Sequence, residues 1–540
     1  MKTRKIVSSA AVAFLVMAFF VSGAPTTRAA ISTNASANVV IGQANLITGT
    51  ANQGGGSAAI NTINDSRGVF YDGSHLFVAD RSNNRVLVYN SIPTASDASA
   101  DIVIGQADMT HNDANRGGAV AANTLYYPVG VYSDGEKLFI ADTYNNRVLV
   151  YNSIPTTNGA SADIVIGQAD FTHNDENQGV AAAAGTMYHP YGVFSNGAKL
   201  FVSDSENHRI LIFNSIPTTN GASADVVIGQ QNMTAHDSNQ GGSVGANTLD
   251  IPYGIYSNGV KLFVADSSNN RVLIFNSIPT ENNASANIVV GQANLTSDSD
   301  NLGVAAANTL YYPVSVFPYG GKLLVAERYN NRVLVYNTIP TNNGASADIV
   351  IGQADFTHND ENQGGTVSAA SLSGPRFAFV GGTKLFVSDG DNNRVSIFSF
   401  GSQYTISKNH SKTVSGGEKI KVKKKKIEIS GKKTAYKKGK VKIYRNGNYV
   451  KKAKVKNNGK WKLNFKDTGS AVKTFVFKYY NSSGTLQYNS ETYVIGVDRG
   501  SLVEATLEKM SFDGTAGENN ADNGKKTEKF NVPDAKFISD

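Results

Sequence analysis

Residues 252–292 read Pro252-Tyr-Gly-Ile-Tyr-Ser-Asn-Gly259, Lys261-Leu-Phe-Val-Ala-Asp266, Ser-Ser-Asn-Asn270, Arg271-Val-Leu-Ile-Phe-Asn276 and, past a polar stretch, Asn287-Ile-Val-Val-Gly-Gln292. Short runs of β-branched and aromatic residues, parted by Asn, Gly and Ser, read as four strands joined by turns. The same order recurs along the chain. The Val-Ile-Gly-Gln segment and its variants place glycines at Gly42, Gly105, Gly167, Gly229, Gly291 and Gly352, 61 to 63 residues apart. The Asn-Arg-Val-Leu-Val-Tyr-Asn segment and its variants place arginines at Arg85, Arg147, Arg209, Arg271, Arg332 and Arg394. Six copies of a four-stranded unit predict an all-β fold, a six-bladed β-propeller over residues 31–400.

The array opens with a lone fourth strand, Asn38-Val-Val-Ile-Gly-Gln43, and stops after a third, Arg394-Val-Ser-Ile-Phe398. The N-terminal strand is therefore expected to complete the last blade, pairing an edge that would otherwise recruit other chains.

Within a unit, Tyr127-Pro-Val-Gly-Val131 and Lys137-Leu-Phe-Ile-Ala-Asp-Thr-Tyr-Asn-Asn-Arg-Val148 resemble the NHL repeat. The resemblance covers about residues 38–400. It implies a propeller and leaves function open, since one fold serves enzymes, sensors and binding platforms alike. The units are longer than the family's usual length, with the surplus in stretches such as Asn152-Ser-Ile-Pro-Thr-Thr-Asn-Gly-Ala-Ser-Ala162 and Thr172-His-Asn-Asp-Glu-Asn-Gln-Gly179. Such loops on a rigid ring are expected on opposite faces of the disc, as a recognition surface.

The first 30 residues carry a basic start, an apolar run from Ile6 to Val21 and small residues before Ala30, the order of a signal peptide. With no cysteine in 540 residues, disulfides and thiolate chemistry are excluded. Charge is divided: residues 31–400 carry 16 Lys+Arg against 30 Asp+Glu, and residues 401–500 carry 25 against 5. The lysine-rich stretch reads as a basic linker (401–426) and a β-sandwich (427–499). The latter resembles bacterial immunoglobulin-like domains through its Asn446-Gly447 turn, its Asn458-Gly-Lys-Trp461 stretch and Tyr493-Val-Ile-Gly-Val-Asp498. Its lysines are either a solvated face or a means of attachment to anionic wall polymer. Residues 500–540 are polar and read as a disordered tail.

Candidate chemistry divides into repeated and unrepeated residues. The carboxylates Asp80, Asp142, Asp204, Asp266, Glu327 and Asp389 each precede one of the six arginines by the same spacing. A feature present in every unit is structural, because an active site is asymmetric. The histidines His111, His173, His236 and His358 sit in corresponding polar loops, one to a unit, so no metal centre is expected beyond weak calcium binding. The symmetry breaks after the position that proline holds in five units and Ser66 in the first, where the units read Arg67, Val129, Tyr191, Tyr253, Val314 and Arg376. His189, Asp250 and Glu327 are further departures.

An arginine pair from neighbouring blades suits a carboxylate, sulfate or phosphate, and tyrosines suit sugars or peptides. The competing reading makes the two arginines salt bridges across the closing seam. Propeller lyases of the amidating and streptogramin types offer no catalytic set that transfers to these positions. The expected function is a secreted, cell-wall or cell-surface binding protein or scaffold, most simply a monomer. Its ligand is an extracellular protein, peptide or glycan; neither nucleic acid nor a membrane span after signal removal is expected. The alternative is an extracellular lyase or hydrolase using His189 or Glu327 at the channel mouth. A channel sealed by apolar residues, with the long loops carrying the contacts, would favour a scaffold without a small-molecule site.

Overall fold

The computed structural model describes residues 32–399, apart from 382 and 383, and beyond them a set of strands between Ser402 and Lys509. The expected signal peptide and the tail beyond Lys509 lie outside the described residues. Each propeller blade is an antiparallel sheet of four strands. In blade 1 these are Ser66–Tyr71, Leu76–Asp80, Arg85–Tyr89 and Ile102–Ile104. Blades 2 to 5 repeat the plan. Blade 6 consists of Pro375–Gly381, Lys384–Asp389, Arg394–Ser399 and, from the other end of the propeller, Val39–Ile41. Val39, Val40 and Ile41 pair with Ile397, Ser396 and Val395, so the ring closes as the repeat register requires.

The second and third strands read as unbroken apolar runs because both faces of each blade are buried. Leu76, Val78 and Leu87 pack toward blade 6, while Phe77, Ala79, Val86 and Val88 pack toward blade 2. Each such burial contributes about 1.5–3 kcal/mol. Stability is thus spread over six equivalent interfaces.

The long loops between third and fourth strands have a use that composition did not reveal. Each reaches back over the outermost strand of the preceding blade and satisfies the free edge. The Val103 N–H donates to Asn158 Oδ1 (3.0 Å), and the Val103 carbonyl accepts from the Gly159 N–H (2.9 Å). The same latch joins Asn220 and Gly221 to Val165, Asn282 and Asn283 to Val227, and Asn343 and Gly344 to Val289. Ser96 and Asp97 cover Val40, and Thr33 and Asn34, from the N-terminal segment, cover Val350. The carbonyl-capping residue is left-handed in every blade (φ 58–64°), which explains why only Gly, Asn and Asp occur there. These loops act mainly as edge protection.

Inside each blade the repeated ion pair is wholly buried. Arg85 Nε donates to Asp80 Oδ2 (2.7 Å), Nη1 to the Met109 carbonyl, and Nη2 to the carbonyls of Ala59 and Thr62. Asp80 also accepts from the Asn64 N–H and Asn83 Nδ2. The arginine contacts recur at Arg147, Arg209, Arg271, Arg332 and Arg394.

Beyond the propeller, antiparallel strands form a seven-stranded and a four-stranded sheet. Lys440–Arg445 and Asn448–Lys454 make the hairpin expected at Asn446-Gly447. Pairing extends to either side of 427–499, since Ser402–Ser407 lies against Val503–Lys509.

Removing residues 32–41 bares the edge of Arg394–Ser399 and strips the latch from Val350. The expected outcome is self-association, read as higher-mass species by light scattering after gel filtration, and a lower denaturation midpoint. Removing residues 1–30 alone is expected to change neither.

Candidate functional site

The six innermost strands converge on the propeller axis in three tiers. In the outermost tier, the residue just before each inner strand's first conserved position is left-handed: Asp65, Tyr127, His189, Ile251, Tyr312 and Gly374, with φ from 46 to 60°. Bulky side chains rarely adopt this conformation, and here each is held by a neighbouring blade. The Tyr127 N–H donates to Asn84 Oδ1, that of His189 to Asn146 Oδ1, and that of Tyr312 to Asn270 Oδ1, all at 2.9 Å. At Ile251 the acceptor is His208 Nδ1 (3.1 Å), and His208 in turn contacts Asp250 (3.0 Å). The departure at Asp250 therefore lies beside a second departure, His208 in place of Asn.

The second tier holds Arg67, Val129, Tyr191, Tyr253, Val314 and Arg376. In five blades the strand register shifts at this residue, a bulge that re-aims its side chain. The structure brings the predicted tyrosines together. Tyr191 and Tyr253 stack with centroids 3.9 Å apart and planes 2° from parallel, and Tyr312 donates its hydroxyl to that of Tyr253 (3.1 Å). Burial, then the neighbouring Tyr191 and Tyr312, push the Tyr253 hydroxyl far above the ordinary phenol range.

The predicted arginines lie at the seam of blades 6 and 1, but each takes its carboxylate from its own blade. Arg67 Nη2 contacts Asp65 (2.8 Å) and Arg376 Nη2 contacts Asp391 (2.6 Å). The seam itself is joined by other bonds, including Ser66 Oγ to the Arg394 carbonyl (2.7 Å) and the Asp65 N–H to Asn393 Oδ1 (2.9 Å). Burial, then the charge of Arg67, lower Arg376 to about 10. Burial also opposes the charge of Arg67, but Asp65 more than offsets it and the net direction is upward.

The third tier seals the axis. Phe70, Tyr132, Phe194, Tyr256, Phe317 and Phe379 form a closed aromatic ring, successive centroids 4.2–4.9 Å apart. The cavity among them is about 40 Å³, room for a few waters and for no organic ligand. Gly68, Gly130 and Gly192 permit this closeness, since a Cβ on each would lie 2.2–2.4 Å from the next blade's carbonyl oxygen. The axis thus narrows at this ring to a space of water-molecule size, and the second tier above it is treated as the wall of a funnel.

His189 stacks on Tyr144 (4.5 Å), and burial lowers its pKa. Glu327 is fully buried: it accepts from the Tyr311 N–H, Asn330 Nδ2 and Arg332 Nε, and serves as the carboxylate of blade 5. His111, His173 and His358 each turn back on an aspartate three residues earlier in the same exposed loop. Among the described residues no three His, Asp or Glu side chains converge.

Sequence reasoning missed the residues that frame the funnel. Arg81 lies over the Tyr127 ring (4.2 Å) and also contacts Asp65 (3.1 Å), while Arg328 lies over Tyr329 (5.0 Å). Their signal was present: the position after each second-strand carboxylate reads Arg81, Thr143, Ser205, Ser267, Arg328 and Gly390. In blades 2, 3 and 4 that hydroxyl donates to the next blade's proline carbonyl.

Fold and site together define a six-bladed propeller with a polar and aromatic funnel on its axis. No protein-family model and no curated protein matches the chain. Solved structures similar to it include the PQQ-bound aldose sugar dehydrogenase of Streptomyces coelicolor (12% identity, 64% of this chain and 96% of that one, TM-score 0.35). Others are the calcium-binding regucalcin of Agrobacterium tumefaciens (9%, 64% and 94%, 0.34), and the nidogen/laminin complex (15%, 50% and 75%, 0.28). No function is inferred from similarity at that level.

Two kinds of arginine now invite contrast. Replacing Arg394 with Met leaves Asp389 buried and unpaired, an expected loss of about 3–5 kcal/mol. Arg376 holds its charge at a cost throughout the neutral range, relieved only above about pH 10. R376M is therefore expected to be neutral or stabilising, by on the order of 1 kcal/mol. Urea denaturation in chloride buffer free of sulfate and phosphate reads both.

Proposed function

We propose that this is an extracellular binding protein of the NHL-propeller type, with its ligand surface in the funnel and an immunoglobulin-like lysine-rich module that holds it to anionic cell-wall polymer. The observation that carries the reading is the stacked pair Tyr191 and Tyr253 in one tier with the buried arginines Arg67 and Arg376, where the repeat symmetry breaks. The aromatic ring leaves room for water-sized molecules alone, so an organic ligand would enter and leave by the face where the tyrosines and arginines lie. Flat aromatic faces beside hydrogen-bonding hydroxyls suit a sugar ring or a peptide side chain. Catalysis is the weaker reading: Glu327 is consumed by Arg332, and His189 has a ring partner but no hydrogen-bonded carboxylate to orient it.

Attachment is supported by strand register. Lys440 stands opposite Lys454, and Lys442 opposite Lys452. Lys440, Lys452 and Lys454 are exposed, and Val441, opposite Ala453 between the two pairs, is buried. The like charges of Lys440 and Lys454, directly opposite, destabilise a sheet, and an anionic polymer would relieve them.

The test is binding of the mature chain to arrays of glycans, peptides and teichoic acids. A funnel ligand is expected to lose about tenfold affinity, near 1.4 kcal/mol, in Y191A or Y253A. Its binding should persist when salt rises from about 0.1 to 1 M, whereas polymer attachment should fall as the Debye length shrinks from about 10 to 3 Å. A ligand indifferent to both tyrosines would refute the funnel.

A further inference from the structure

One arc of the funnel carries more positive charge than its surroundings neutralise. Arg81 and Arg67 share Asp65, and Arg376 holds Asp391. Arg376 feels the charges of both Arg67 and Arg328. Blades 5, 6 and 1 thus present four guanidinium groups against two carboxylates. Their hydrogen bonding is incomplete at the same place. Nε of Arg67, Arg81, Arg328 and Arg376, and Nη1 of Arg376, are buried donors with no partner. By contrast, the six arginines of the repeated ion pairs spend their donors on carboxylates and carbonyls. Arg376 is 3% exposed, and a buried guanidinium with two idle nitrogens costs free energy unless an acceptor arrives.

We infer that this arc is an oxyanion site for a tetrahedral dianion, a phosphate monoester or sulfate-type group, within the funnel proposed above and resting on that reading. Two excess positive charges call for a dianion, and tetrahedrally disposed oxygens accept from donors that approach from different blades. A single planar carboxylate supplies half the charge. The occupant of Arg376 in the free protein is Asp391, whose side chain is 46% exposed. An incoming anion displaces it into solvent at little cost. Gly374 and Gly390 let the resident pair lie against the backbone, since a Cβ on the first would meet Asp391 Oδ2 at 2.0 Å and one on the second would meet Arg376 Nε at 2.9 Å. The anion is either free or carried on a larger ligand.

The experiment is calorimetric titration of the mature full-length chain with inorganic phosphate, a hexose phosphate and the parent hexose at fixed ionic strength. One phosphate per chain is expected. R376M and R67Q should each weaken it by about tenfold, whereas D391N, which removes the competing carboxylate, should strengthen it by about as much. A hexose phosphate binding more tightly than phosphate identifies a group on a larger ligand; equal affinity identifies the free ion. Phosphate binding that survives R376M and R67Q and ignores D391N belongs to the lysine-rich strands and overturns the inference. No phosphate binding at all overturns it too, and leaves the funnel standing if an array ligand still depends on Tyr191 and Tyr253.

Discussion

The structure depends on a buried arginine paired with a buried carboxylate, made six times. Two charges withdrawn from water cost several kcal/mol each, and the pair survives only because every remaining donor and acceptor is met. In blade 1 that demand recruits the Asn64 N–H, Asn83, and the carbonyls of Ala59, Thr62 and Met109. Those groups belong to the turn and to the connections that enter and leave the blade. One ion pair therefore fixes where the chain arrives at the axis, and the left-handed residue, the bulge and the aromatic seal follow in order along the next strand. Glu327 shows how strict the requirement is: a side chain one methylene longer is accommodated with the same contacts.

That chain of consequences explains what the sequence disclosed. Repetition exposed the blades and the closing strand, because Val39–Ile41 had no other partner in its own register. It also marked the column Arg67, Tyr191, Tyr253 and Arg376 as the place where symmetry breaks. It was silent about the loops, since Asn158-Gly159 reads equally as a flexible tip or as a latch, and only the position of Val103 decides between them. The aromatic seal was hidden for a different reason. Phe70 and Tyr132 lie in inner strands where any apolar residue would read as core, and their meeting between adjacent blades depends on the glycines beside them.

The seam reading of the arginines fails to account for them on similar grounds. Adjacent blades make Arg67 and Arg376 neighbours, but two like charges hold nothing together. What joins the blades there is apolar packing and hydrogen bonding between side chain and backbone, which the other five junctions also use in part. The arginines are additions to a junction already complete.

A pseudo-symmetric scaffold separates two demands that usually conflict. Each interface can be optimised once and copied, so a costly local arrangement is diluted across six sound ones. The arc of blades 5, 6 and 1 uses that latitude: it gives up the hydroxyl link of blades 2, 3 and 4 and accepts like charges in near-complete burial. In blades 3 and 4 Tyr191 and Tyr253 are half-buried and stacked on each other, and Tyr312 of blade 5 ties its hydroxyl to that of Tyr253. A rigid aromatic wall loses little conformational freedom on contact, while an under-neutralised basic wall gains from any anion that reaches it. The polarity across the funnel would therefore orient a ligand with a charged end and a flat end in one direction only.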